Sequence, residues 1–210
     1  MAVSLLMALS ALGATGCFAA TSPYMSAPRL PVPTVAPPNA AVVVFVRPSD
    51  FANNAVATIL DDRGAFLGDS LAESQFAVLL PPGPHVFLSW AENTAPITAS
   101  LLPGRVYYVE VAPRPGFWKA RVQLIAITPR SENWVELGTW ISRSTQLVPD
   151  TLAGQQYLNE RREDVEERIR RAHERLTQLS AEELNDRTLL PEDGVPSAAP
   201  NAAPPPKTGN

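Results

Sequence analysis

The feature that most constrains the fold is a series of short strand-like segments between residues 40 and 129, separated by Gly and Pro. Residues 42–46 read Val-Val-Val-Phe-Val, which is typical of a strand buried on both faces. Later segments alternate apolar and polar residues, as half-buried strands do. No helix-length pattern precedes Pro129, and this argues against the crossover helices of a parallel α/β sheet. We therefore predict a mainly β fold, an antiparallel β-sandwich of about seven strands at residues 40–130.

A C-terminal helical region is predicted at residues 131–190. Apolar residues recur at alternating three-and-four spacing between Leu158 and Leu179, which indicates one long amphipathic helix with Asp150 as its N-cap. The sequence Ser180-Ala181-Glu182-Glu183 matches a capping box and predicts a second, short helix. Residues 134–147 are ambiguous, and we favour a short helical or irregular segment there. Fewer than four heptads favour docking of the long helix on its own domain, although a partner helix is an open alternative.

Proline is concentrated at the two ends of the candidate domain. Of the 22 prolines, six lie at residues 18–39 and six at residues 191–210. Proline lacks a backbone donor and fixes φ, so we predict an extended, disordered tether at residues 17–39 that reaches on the order of 70 Å. The tail at residues 191–210 is likewise predicted to be disordered.

Charge and cysteine content exclude several classes of function. The net charge is −4 with no run of Lys or Arg, which argues against a nucleic-acid partner. One cysteine cannot form an internal disulfide, and two histidines without a second thiol give no zinc-binding spacing. No cofactor is expected apart from a covalent lipid on the cysteine.

That cysteine, Cys17, closes an apolar N-terminal segment. Residues 2–14 carry no charge and are too few to cross a bilayer, so residues 1–16 are predicted to be an export signal. The sequence Ala14-Thr15-Gly16-Cys17 resembles the lipobox of bacterial lipoproteins, although leucine is usual in place of Ala14 and no cation precedes the apolar run. The resemblance implies a lipid on Cys17. Phe18 in place of aspartate then implies an outer-membrane protein that faces the periplasm. An ordinary secretory signal is the alternative.

A second resemblance covers residues 42–127. The ordered elements Leu67-Gly68, Pro82-Gly83-Pro84-His85 and Pro103-Gly104-Arg105-Val106-Tyr107-Tyr108 resemble small β-sandwich domains of uncharacterised bacterial lipoprotein families and PEGA-type domains. This implies a non-enzymatic envelope domain. Successive residues of a strand point to opposite faces, so at most one of Tyr107 and Tyr108 belongs to the core. The other, with Trp134 and Trp140, is a candidate interaction surface, or lies beneath the C-terminal helix.

A third resemblance is catalytic. The sequence Gly68-Asp69-Ser70-Leu71 is similar to the Gly-Asp-Ser-Leu signature of a lipase and esterase family, in which the serine is the nucleophile. The Asp-x-x-His pair of that family is absent, because Pro82 and Arg170 stand three residues before the two histidines. We predict that Gly68 marks a turn or bulge instead.

The sequence thus predicts a non-catalytic, membrane-anchored binding or structural module of the cell envelope with an unknown ligand. An esterase using Ser70 is one alternative. An accessory subunit that docks on another envelope protein through its C-terminal helix is the other.

Overall fold

A computed structural model describes residues 19–32, 34–117 and 120–197. The strands are, in chain order, β1 (Met25–Ser26), β2 (Ala41–Arg47), β3 (Ala57–Asp61), β4 (Phe66–Ser70), β5 (Ser74–Leu80), β6 (Gly83–Trp90), β7 (Thr94–Leu101), β8 (Arg105–Arg114), β9 (Arg121–Ile127), β10 (Thr145–Pro149), β11 (Thr188–Leu189) and β12 (Val195–Pro196). The helices are α1 (Trp134–Arg143), α2 (Thr151–Asn159), α3 (Arg162–Thr177) and α4 (Ala181–Asp186), with a 3-10 helix at Pro191–Asp193.

The strands form two packed sheets. The first has the order β1-β10-β5-β2-β8-β12, and β9 also pairs with β8; the second has the order β11-β7-β6-β3-β4. Three pairs are parallel: β2 with β8, β5 with β10 and β7 with β11. The chain is mainly β, but the prediction of a plain antiparallel sandwich of about seven strands is wrong, because seven and five strands form mixed sheets.

The parallel pairing of β2 with β8 arises without a crossover helix. Parallel neighbours need a connection of a dozen or more residues, which is usually a helix. Here β3 to β7 make that connection between β2 and β8, and four of these five strands belong to the second sheet. After forming most of the second sheet, the chain returns to the first sheet as β8, which runs in the same direction as β2.

The main hydrophobic core lies between the two sheets. Phe45 of the first sheet stacks on Phe76 with ring centroids 5.2 Å apart and meets Phe87 of the second sheet edge-on at 5.7 Å. Val122 and Leu124, which alternate with Arg121, Gln123 and Ile125 along β9, join the same core. The fully buried rings and branched side chains of this cluster bind the two sheets together through apolar contact.

Both sheets are also covered on their outer faces. Ala36 and α1 cover the first sheet, where Val42 and Val44 are buried with Ala36, and Val46 is buried with Leu137 of the helix. Every residue of β2 is consequently buried, which confirms the prediction from its apolar run. The second sheet is covered by α2 and α3.

The predicted long helix from Asp150 to Leu179 is wrong in its length. The chain leaves helical geometry at Arg161, with φ −120° and ψ 34°, and this residue separates α2 from α3. The predicted N-cap is confirmed, since the Asp150 side chain accepts a hydrogen bond from the Ala153 amide at 3.0 Å. The capping box at Ser180 and Glu183 is confirmed as well. The ambiguous residues 134–147 contain α1 and the start of β10.

The two helices dock on their own domain. Leu158 of α2 and Val165 and Ala172 of α3 are buried against the apolar side chains Leu60, Phe66 and Leu88 of the second sheet. On either side of the break at Arg161, α2 packs mainly on β4, and α3 packs on β6 and β7. The apolar stripe read from the sequence is therefore used within the chain.

The predicted disordered tether and tail are wrong where the structure describes them. In the N-terminal segment, Ser22 and Ala36 are buried and β1 pairs with β10. In the C-terminal segment, β12 pairs with β8, and the buried Asp193 accepts a hydrogen bond from Arg130 at 2.6 Å. Proline prevents helix and interior strand pairing, but it does not prevent edge pairing or packing. Strands outside residues 40–130 thus complete both sheets.

Candidate functional site

A cleft of about 940 Å³ lies where loops and turns of the two sheets meet. Six segments distant in sequence build it: the N-terminal segment, the β2–β3 loop, the facing strands β3 and β4, the β6–β7 turn, the β8–β9 hairpin and α2. We call it the aromatic cleft, because its lining includes Tyr24, Phe51, Trp90, Phe117 and Tyr157. A concave site with aromatic walls and a few polar groups is the usual form of a ligand site.

Asp69 is the buried polar group of the aromatic cleft. Its side chain accepts hydrogen bonds from the Ser22 hydroxyl at 2.6 Å and the Thr58 hydroxyl at 2.7 Å. Burial raises the pKa of Asp69, and the two hydroxyls offset this rise only in part. The carboxylate therefore ties the N-terminal segment to the second sheet at the cleft wall.

Arg47 fixes the loop that forms another wall. Its guanidinium is fully buried and donates to the carbonyls of Phe51 at 2.9 Å, Ala52 at 2.7 Å and Ala55 at 2.8 Å. Burial lowers the pKa of Arg47, and its Nε atom has no hydrogen-bond partner in the described part of the chain. A charged donor shared among three carbonyls holds the loop in one conformation.

Two arginines of the helical layer lie against aromatic rings of the cleft. The guanidinium of Arg161 lies 4.0 Å from the centroid of Tyr157, and that of Arg168 lies 5.3 Å from the Trp90 ring. Tyr24 packs on Tyr157 with centroids 5.1 Å apart. These contacts hold the aromatic walls in place through cation–π attraction and ring packing.

Of the residues singled out from the sequence, Cys17 lies outside the described residues. Tyr107 is fully buried between the sheets, and its hydroxyl accepts from the Leu102 amide at 2.8 Å and donates to the Pro191 carbonyl at 3.0 Å. Tyr108 lies on the opposite face, as predicted, and meets Trp134 edge-on at 6.3 Å. Trp140 of α1 packs in the same apolar cluster.

Tyr108 and Trp134 line a second, smaller groove of about 440 Å³ beside α1. Trp140 does not line this groove, although it packs nearby. Of the four predicted residues, Tyr107 therefore lies in the core, Tyr108 and Trp134 line the groove, and Trp140 packs in the apolar cluster of α1. None of the four lines the aromatic cleft.

Among the described residues, Ser70 forms no hydrogen bond with a histidine. It is 2% exposed in β4, and its strand partner is Ala57. The chain's two histidines lie elsewhere: His85 hydrogen-bonds the Pro81 carbonyl at 2.9 Å, and the Nε2 atom of His173 lies 3.6 Å from a carboxylate oxygen of Asp62. The register shift between β3 and β4 falls beside Gly68, which confirms the predicted bulge. The geometry gives the esterase hypothesis no base for its nucleophile.

Sequence reasoning missed the aromatic cleft. Arg47 was visible only as the polar end of a strand, and Asp69 only as part of the esterase-like tetrapeptide. A signal did exist for Asp69, since an aspartate within a strand segment otherwise rich in apolar residues needs partners when it is buried. No signal in the sequence indicates that Ser22 and Thr58 supply them, because they come from other parts of the chain.

Searches for related proteins and for other kinds of site gave no further assignment. No protein-family model, curated protein or solved structure matches the chain. In residues 19–32, 34–117 and 120–197, no group of three or more His, Cys, Asp or Glu side chains is arranged to hold a metal ion. Within the same ranges, no helix has both the length and the apolar composition needed to span a membrane.

Proposed function

We propose that this protein is a non-catalytic binding module, held at a bacterial envelope membrane by a lipid on Cys17, that takes an amphiphilic ligand in the aromatic cleft. The observation that carries the proposal is the cleft itself. It combines five aromatic side chains with the polar groups of Asn54, Thr58 and Asp69. Such a lining suits a ligand with an apolar body and hydrogen-bonding substituents.

The way the cleft walls are held supports binding. Arg47 fixes the β2–β3 loop, and Asp69 fixes the N-terminal segment, both through buried hydrogen bonds. A preformed site loses less conformational entropy when a ligand enters. Helices α2 and α3 pack on the second sheet and contribute only Tyr157 to the cleft lining. Buried hydrogen bonds of Arg47 and Asp69 therefore support the walls of the proposed site.

The anchor rests on the sequence around Cys17. A cysteine that follows Ala14-Thr15-Gly16 at the end of an apolar segment resembles a lipidation site. Two or three acyl chains would make release from the membrane negligible, whereas one chain binds only marginally. The predicted location is the outer membrane, with the domain in the periplasm.

Metabolic labelling with palmitate tests the anchor. We expect the wild-type protein to incorporate palmitate and to sediment with membranes, and Cys17→Ser to lose both properties. Serine is close to cysteine in size and shape, so folding of the domain is not affected. Membrane association and labelling that persist in Cys17→Ser would contradict the anchor.

A pair of neighbouring asparagines tests the cleft. Asn54 lines it and Asn53 does not, so Asn54→Trp narrows the cleft while Asn53→Trp is the matched control. The probe is the neutral fluorescent amphiphile N-phenyl-1-naphthylamine. We expect saturable binding to the wild type and to Asn53→Trp, and a tenfold or greater loss, about 1.4 kcal/mol, for Asn54→Trp. Equal binding by all three proteins would refute the cleft as the ligand site.

A further inference from the structure

Two large apolar side chains are exposed at the mouth of the aromatic cleft. Phe117 of the β8–β9 hairpin is 81% exposed, and Phe51 of the β2–β3 loop is 48% exposed. Both line the same cleft. Aromatic rings that stand in water at the rim of a site are typical of surfaces that meet a partner or a membrane interface.

Two cations lie in the same hairpin as Phe117. Arg114 and Arg121 are directly opposite one another at the end of the β8–β9 ladder, and both are exposed. Like charges directly opposite in a sheet destabilise it. Arg121 lies 3.6 Å from Glu92, and Arg114 donates to Gln123 at 3.2 Å. Only one of the two arginines thus has a carboxylate within ion-pair distance among the described residues, in a chain whose net charge is −4.

The chain enters the domain on this same side. The Ala20 amide donates to the Asn53 carbonyl at 2.8 Å, and Asn53 belongs to the loop that carries Phe51. Three peptide units separate Cys17 from Ala20, and an extended chain spans at most about 3.6 Å per residue. A lipid on Cys17 would therefore be attached within about 11 Å of Ala20. A lipid at that position would hold this side of the domain close to the bilayer.

We propose that Phe51, Arg114, Phe117 and Arg121, here called the basic-aromatic tip, lie on the anionic phospholipid surface that holds the anchor. The proposal rests on the lipid assigned to Cys17 under the proposed function. The rings enter the interfacial region and the guanidinium groups meet lipid phosphates, which attract Arg electrostatically. Contact with anionic lipid also removes the cost of placing two like charges opposite each other. The mouth of the aromatic cleft then opens at the membrane surface, where an amphiphilic ligand is concentrated.

Site-directed spin labelling of the acylated protein tests this orientation. Acylation blocks the thiol of Cys17, so Phe51→Cys and Phe117→Cys each supply the single free thiol. Val135→Cys is the matched control, because Val135 is also 81% exposed and lies on α1, which contributes no residue to the cleft. In vesicles that contain phosphatidylglycerol, we expect the labels at 51 and 117 to gain collisions with oxygen and to lose them with a water-soluble nickel chelate. The label at 135 should remain aqueous.

A charge variant completes the test. We expect Arg114→Gln/Arg121→Gln to return the label at 117 to water, while Arg63→Gln/Arg162→Gln, with the same change in net charge, leaves it immersed. An acylated protein whose labels at 51 and 117 stay aqueous would overturn this inference and leave the proposed function standing. A reactive thiol at Cys17, in addition to the introduced cysteine, would show that Cys17 carries no lipid. That result would overturn both this inference and the membrane anchor of the proposed function. Immersion that survives Arg114→Gln/Arg121→Gln would overturn the role of the two arginines.

Discussion

Two glycines inside helices offer the sharpest test of how the helical layer is packed. Gly138 lies in α1 with no atom within 4 Å of the position of an added Cβ. Gly154 lies in α2, where an added Cβ would stand 2.5 Å or less from three ring atoms of Phe66. Alanine favours a helix interior over glycine by about 1 kcal/mol at either position. Packing should therefore decide the sign of the two substitutions.

The expected magnitudes follow from the contact. Carbon atoms normally approach to about 3.5 Å, so the Phe66 ring must shift by about 1 Å in Gly154→Ala. Phe66 is 3% exposed and packed edge-on against Tyr24 at 5.9 Å, which leaves it little room. Overpacking of this kind costs about 3 kcal/mol. After the gain in propensity, Gly154→Ala should lose about 2 kcal/mol of stability, whereas Gly138→Ala should gain about 1 kcal/mol.

Urea unfolding followed by tryptophan fluorescence measures both variants. With a slope of about 2 kcal/mol/M, the midpoint should fall by about 1 M in Gly154→Ala and rise by about 0.5 M in Gly138→Ala. Adding Phe66→Leu to Gly154→Ala should cost less than Phe66→Leu alone costs, because the smaller side chain makes room for the Cβ. Equal stabilisation by the two alanines would refute the docking of α2 on Phe66.

Three further outcomes are expected. Burial raises the pKa of Asp69 above its unfolded value, so the folded state binds the proton more tightly. The stability that this group contributes is therefore present at low pH and is lost as pH rises through the folded pKa. An asparagine at this position would not titrate, so the loss in free energy of unfolding caused by Asp69→Asn, measured in urea, should be larger near pH 3.5 than at pH 7. A loss that does not vary with pH would count against the buried carboxyl. Tyr107→Phe removes a hydroxyl that hydrogen-bonds Leu102 and Pro191, and it should cost about 1–3 kcal/mol of stability in the same assay. Tyr108→Phe, the matched control, should change stability by less than about 0.5 kcal/mol. Similar losses in both variants would refute the buried hydrogen bonds of Tyr107. Ser70→Ala should leave hydrolysis of p-nitrophenyl acetate at the level of the wild type, and a large drop from a measurable rate would revive the esterase hypothesis.

Local patterns in the sequence were sufficient where the signal lies within one element. The apolar run at residues 42–46 predicted a strand buried on both faces, and β2 is such a strand. Asp150 and the Ser180–Glu183 box predicted helix starts through side-chain groups that cap the first turn. These predictions succeed because caps and periodicity depend on residues that are at most a few positions apart.

The candidate site was not predictable in the same way. The aromatic cleft joins Tyr24, Phe51, Asp69 and Tyr157 from four separate segments, and no spacing in the sequence relates them. The Pro-rich segment predicted to be a tether is instead partly a wall of this cleft, because Ser22 bonds Asp69. The proline content of a segment predicts which secondary structures it does not form, but it does not predict the surface against which the segment packs.

The sequence by itself determined that the chain is mainly β, where two helix N-caps and the bulge at Gly68 fall, and that an apolar segment ends at its one cysteine. Only the tertiary structure decided the direction of strand pairing, the break at Arg161 and the docking of α2 and α3 on the second sheet. The physical reason is that side-chain alternation is the same in parallel and antiparallel strands, so periodicity does not encode the path of the chain between them. Burial of Asp69 and Arg47 likewise depends on groups brought together by that path.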